Sequence, residues 1–175
     1  ADARSIETAI AHYSEALGMG LLSPMDREQE LAALYLMRGD RASAQHLLED
    51  IVSGDPHHIE AHYRLGVIAR DGGDPALAMV HWRQALDRGT LRAGGRDHEL
   101  VLRAALDLGA ALESNGAMGQ AHDVYLLGME RLPGSAELFI RTAAVESRMG
   151  MEDQAILHYE QALQLAGGTP VLYNN

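Results

Sequence analysis

Cysteine is absent from the 175 residues, which excludes disulfides, thiolate metal sites and cysteine nucleophiles. Lysine is absent as well: all 14 basic residues are arginine. No apolar run approaches the roughly 20 residues that a membrane-spanning helix needs, and no secretory signal opens the chain. No serine sits in a nucleophile-elbow context and no glycine-rich turn joins a strand to a helix. Catalysis and a cofactor are therefore not expected of this segment. Basic charge is also in deficit, 14 residues against 25 acidic ones, for a formal charge of −11. That balance argues against a nucleic-acid backbone or an anionic membrane as the main partner, and the lack of a long apolar run argues against membrane insertion. The compartment stays open.

What is present is a period. The segments "AIAHYSEAL", "AMVHWRQAL" and "AILHYEQAL" begin at Ala9, Ala78 and Ala155. The same small residue stands at Ala44 and Ala121, giving intervals of 35, 34, 43 and 34. Four residues further on comes a large apolar residue: Tyr13, Leu48, Trp82, Tyr125 and Tyr159. Three beyond those are Ala16, Ile51, Ala85, Gly128 and Ala162. Spacings of four and three place these residues on one face of a helix. A second ladder, Leu31-Ala32, Leu65-Gly66, Leu108-Gly109 and Thr142-Ala143, runs 13 to 12 residues upstream. Between the ladders lie Gly39, Gly73, Gly116 and Gly150, suited to the left-handed turn that closes a helix. Asp40 and Asp74 follow as N-caps, with Pro75 at a first helical position. Pro56 and Pro133 break the chain after the second helix.

The unit is a helix–turn–helix of about 34 residues and resembles the tetratricopeptide repeat. Its best copy is "HYRLGVIARDGGDPALAMVHWRQAL", with Leu65, Gly66, Gly73, Ala78, Trp82 and Ala85. The resemblance implies an all-α fold, a right-handed superhelical solenoid of antiparallel helix pairs formed by residues 1–175 as a single array. Full repeats are expected at 25–58, 59–92, 102–135 and 136–169, with partial ones at 3–24 and 170–175. In this frame each alanine is small because helices cross there, and each aromatic fills a gap between neighbours. His12, His81 and His158, one residue before the aromatic, read as partly exposed packing residues inherited by duplication.

The pattern breaks in two places. The interval of 43 carries nine extra residues near 89–101, in "DRGTLRAGGRDHELV", where Asp97 would cap an early start to the next helix. Arg88, Arg92 and Arg96 there lack a nucleotide-loop spacing. The chain starts at Ala1 without methionine and both ends are cut relative to the period, so it reads as a piece of a longer array. Its open repeat ends would self-associate or be covered by a tail.

One cluster is ligand-like, "PHHIEAH", with His58 and His62 one turn apart and Glu60 close by. A zinc site needs three or four protein ligands, and no third is evident, so a solvated surface is expected and no metal. The remaining candidate is a groove. In stacked repeats of this kind the first helices line the concave side. Its residues are Tyr63, Arg64, Val67 and Arg70, then Arg103, Leu106 and Asp107, then Ile140, Arg141 and Arg148. The preceding first helix adds Asp26, Gln29, Glu30, Ala33 and Met37. Arginine forks suit carboxylates and peptide backbones, and Tyr63 offers an anchoring ring. The alternative is that these charges merely pair with one another. Repeats that hold a terminal carboxylate use lysine and asparagine on this face; this chain has no lysine, with Val67 and Ala110 at the asparagine positions. The resemblance thus implies a non-catalytic scaffold that binds a protein or extended peptide. The alternative function is a substrate-recruiting or regulatory segment of a larger enzyme, such as a glycosyltransferase or methyltransferase.

Overall fold

The computed structural model describes residues 3–19, 24–87 and 95–167. Among these there are nine helices and no strand: α1 (Ala3–Gly18), α2 (Pro24–Arg38), α3 (Arg41–Gly54), α4 (Ile59–Asp71), α5 (Pro75–Asp87), α6 (Arg96–Ser114), α7 (Met118–Arg131), α8 (Ala136–Arg148) and α9 (Glu152–Leu165). The chain forms two compact units, Ala1–Thr90 and Leu91–Asn175. Their boundary falls within the expected insertion. Residues 88–94 of that insertion and the tail after Gly167, including the partial repeat 170–175, lie outside the described residues.

Each helix pair turns in the same way. Gly39, Gly73, Gly116 and Gly150 have φ of 85°, 86°, 75° and 79°, a region open to glycine and costly for other residues. At Gly39 the amide donates to Leu36 O (3.0 Å) and the next amide, Asp40 N, donates to Tyr35 O (2.9 Å). The same two bonds recur at Gly73, Gly116 and Gly150. They satisfy the carbonyls that the ending helix leaves open and reverse the chain within two residues. Asp40 then accepts from Ser43 N at 3.1 Å and Asp74 from Leu77 N at 2.9 Å, and Pro75 opens α5. The backbone bond from Ser43 also holds the Asp40 carboxyl below its ordinary range. α6 departs from expectation: it starts at Arg96 behind Gly95 (φ 81°), with Asp97 inside its first turn rather than capping it.

In the first unit, Ala32, Ala44, Leu48, Ile51, Ala61, Leu65 and Ile68 join α2, α3 and α4 in one buried cluster. Ile6 and Ile10 of α1 pack with Leu31 of α2. In the second unit α7 packs between α6 and α8, and α9 against α8; Val101, Ala105, Val124, Tyr125 and Leu138 are buried there. The two ladders meet by size. A Cβ on Gly66 would lie 2.4 Å from Trp82 Nε1, and one on Gly109 would lie 2.3 Å from Tyr125 Cζ. Bare glycine therefore lets each ring lie against the facing helix. The first full pair has Ala32 opposite the smaller Leu48, both fully buried.

The fourth pair breaks this rule, and the expectation that every ladder aromatic is core fails there. Ala143 is fully buried at the position of Gly66 and Gly109, and Tyr159 is 43% exposed.

Candidate functional site

The exposed strips on the first helices follow from the same periodicity. Tyr63, Val67 and Arg70 share one face of α4, because positions i, i+4 and i+7 align on a helix, and Arg64 borders that face. The opposite face, with Leu65, Ile68 and Ala69, is buried. Tyr63, Arg64 and Val67 are half-buried and Arg70 is exposed. Arg64 is tied to Glu60, its Nη2 lying 2.6 Å from Oε1. Glu60 is buried, although it stands one turn before Arg64 on the same face. Arg70 pairs with Asp71 at 2.9 Å and stands 5.9 Å from the centre of the Trp82 ring. On α2, Glu30 and Met37 are exposed and Ala33 half-buried, whereas the side chains of Asp26 and Gln29 lie outside the described residues.

In the second unit Leu106 and Asp107 are half-buried, and Arg103 is exposed and paired with Glu99 at 2.6 Å. On α8, Ile140, Arg141 and Arg148 are exposed. Arg148 bonds one oxygen of Glu113, and the Tyr125 hydroxyl donates to the other at 2.7 Å. Burial and that carboxylate raise the Tyr125 phenol above its usual range, so it stays a donor. Arg141 has no carboxylate partner among the described residues and stands beside Ile140, whose side chain is open to solvent. Self-pairing of the charges thus holds for Arg64, Arg70, Arg103 and Arg148.

Two contacts were not expected from the sequence. His62 and His81 face each other with Nδ1 atoms 3.2 Å apart, and His62 Nε2 donates to Pro56 O at 3.1 Å. Burial lowers the pKa of both rings below the ordinary value of 6.5. In the second unit the buried Glu146 carboxylate takes His122 Nε2 at 3.0 Å on one oxygen and His158 Nδ1 at 2.7 Å on the other. This ties α7, α8 and α9 together. His81 and His158 are thus hydrogen-bonded, not merely packed, while His12 is exposed. One signal could have found them: both are copies of the same repeat position, and their ring neighbours His62 and Phe139 are copies too.

The "PHHIEAH" cluster is not a solvated surface. His58 and His62 are both buried. His58 Nδ1 accepts from Ala61 N at 3.1 Å as the cap of α4, while His62 turns to His81. The two rings do different jobs because the first lies at the helix start and the second one turn inside it. No group of three or more metal-ligating side chains converges among the described residues.

The fold is that of the tetratricopeptide repeat. Among solved structures it is similar to MamA, with a TM-score of 0.67 and 21% identity over 93% of this chain and 89% of that one. It is also similar to YrrB, described as a tetratricopeptide-repeat protein with an unusual peptide-binding site, with a TM-score of 0.59 and 18% identity over 94% and 79%. These likenesses are of fold. No family model matches the chain. A human relative, the protein O-mannosyl-transferase TMTC1, is 24% identical over 173 residues, covering 97% of this chain. The chain spans 18% of that protein's length. No helix among the described residues is long and apolar enough to cross a membrane.

Proposed function

We propose that the chain is a non-catalytic scaffold that binds an extended segment of another protein along the open faces of its first helices. The observation that carries this is Arg141: an exposed guanidinium with no carboxylate partner among the described residues, next to the exposed Ile140. A charge left unpaired beside an apolar side chain suits a segment that supplies a carboxylate and an apolar anchor. Tyr63 and Val67 offer a comparable anchor on α4, where Arg64 and Arg70 already hold carboxylates. Arg103, Leu106, Asp107 and Arg148 flank the same kind of face in the second unit. The peptide-binding site in YrrB's description is in keeping with this reading. The array's open ends are proposed as a second contact, for self-association.

Selection of peptides from a displayed library on the chain tests the reading. Enriched peptides should carry Asp or Glu near an aliphatic or aromatic residue. Arg141→Ala together with Ile140→Ala should weaken them at least about tenfold, since each 1.4 kcal/mol is a factor of ten. Peptides that bind the double variant unchanged would refute it. A second reading is favoured by the TMTC1 relationship: the repeats would recruit substrate for a catalytic domain elsewhere in a longer protein. Both readings use the same faces, and the sequence of the full protein separates them.

A further inference from the structure

Behind α4, on the side away from Tyr63 and Val67, a cleft of about 310 Å³ opens between α3 and α5. Its floor is apolar, with Leu65 and Ile68 of α4 and Leu77 of α5. Its edges carry hydrogen-bond acceptors: Glu49 of α3, Asp74 before α5, and His81. One Glu49 oxygen takes Gln45 Nε2 at 2.7 Å and one Asp74 oxygen takes Leu77 N at 2.9 Å. The other oxygen of each has no partner among the described residues. Arg41 also lines the cleft, and its guanidinium is directed to Asp71 at 3.7 Å.

The tautomer of His81 follows from its neighbour. A carbonyl only accepts, so His62 Nε2, 3.1 Å from Pro56 O, must carry a hydrogen. Burial favours the neutral His62 ring, and in that form its Nδ1 is a bare acceptor. His81 Nδ1, 3.2 Å away, must then be the donor. Burial favours neutral His81 too, so its Nε2 holds a lone pair, with no partner among the described residues.

We infer that this cleft receives a long cationic side chain from a partner polypeptide, its alkyl stem on the Leu65, Ile68 and Leu77 floor and its head among Glu49, Asp74 and His81 Nε2. Arginine fits best, because its planar fork presents several donors at once to carboxylate oxygens and a ring nitrogen. This cation-binding cleft is separate from the carboxylate-binding face proposed above, and of opposite sign.

The test is a titration of the full 175-residue chain with n-butylguanidinium, followed by NMR of the His81 ring nitrogens and the Leu77 and Ile68 methyl groups. The neutral isostere n-butylurea is titrated in parallel. Before ligand is added, His81 Nε2 should read as unprotonated and Nδ1 as protonated. The cation should give a saturable shift, and binding should fall at least about fivefold both for the urea and for Glu49→Gln. Glu49 is exposed, so that variant keeps its fold, verified by circular dichroism. Arg141→Ala should leave the titration unchanged, which keeps this result independent of the other face. Equal binding of the urea, an unaffected Glu49→Gln variant, a protonated His81 Nε2, or no saturable shift would each overturn the inference.

Discussion

Replacing Gly109 by alanine would drive a methyl group into the ring of Tyr125. The added Cβ would stand 2.3 Å from Cε1 and Cζ and 2.6 Å from the hydroxyl. Carbon atoms settle at about 3.5–4.0 Å, so the ring must retreat by more than about 1 Å. Overpacking of this kind costs about 1–3 kcal/mol. The retreat also takes the hydroxyl off Glu113, a bond of 2.7 Å, at about 1 kcal/mol. Alanine's helix preference over glycine returns about 1 kcal/mol. The expected net loss is about 2 kcal/mol, read as a drop of about 1 M in the urea midpoint followed by circular dichroism. Tyr125→Leu in the Gly109→Ala background reproduces the Ala32–Leu48 pairing and should recover part of the loss. The double-mutant coupling should be at least about 1 kcal/mol. A Gly109→Ala variant more stable than the parent by about 1 kcal/mol would show that helix propensity rules this position. The size-matching account of the ladders would then be wrong.

Trp82→Ala should cost about 3–5 kcal/mol, as for truncating a large buried aromatic; its indole nitrogen has no hydrogen-bond partner among the described residues, so the loss is one of packing, and a loss under about 1 kcal/mol would contradict its core placement. Glu146→Ala removes the carboxylate that links His122 and His158 and should cost about 2–4 kcal/mol through two unsatisfied rings and a cavity; thermal unfolding of the variant measures it. Stability should also fall in acid. His62 and His81 have folded-state pKa values depressed below 6.5, so below pH 6.5 the unfolded chain binds protons that the folded one refuses. Their contribution is complete above pH 6.5 and is lost as the pH falls through the folded values. Urea midpoints at pH 7.5 and 5.5 should differ less in the His62→Phe, His81→Phe double variant than in the parent.

The repeat frame was legible in the sequence because its determinants are local. Ala44, Ala78, Ala121 and Ala155 sit where helices cross, and Gly39, Gly73, Gly116 and Gly150 close the first helix of each pair. Both roles depend on residue size or on φ at a single position. The exposure of Tyr159 was not legible, since it stands at the ladder position of the buried Trp82 and Tyr125. Glu146 was hidden for a different reason. Periodicity says which face a residue occupies, but its two partners come from α7 and α9, and a charged residue in a helix normally reads as solvated. His58 and His62 misled in the same way, since two histidines one turn apart carry no mark of separate partners. The open strip was readable as a face, while the internal pairing of Arg64, Arg70, Arg103 and Arg148 depended on the rotamers and neighbours of individual side chains.

The most direct test of the central claim maps where a selected acidic peptide sits. Methyl NMR of the chain should show shifts at Leu106 and Ile140 of the second unit on adding the peptide, with Leu163 of α9 in the same unit and Val80 of α5 unmoved. Shifts confined to Val80, Leu163 and their neighbours, with Ile140 silent, would contradict recognition by the first-helix faces.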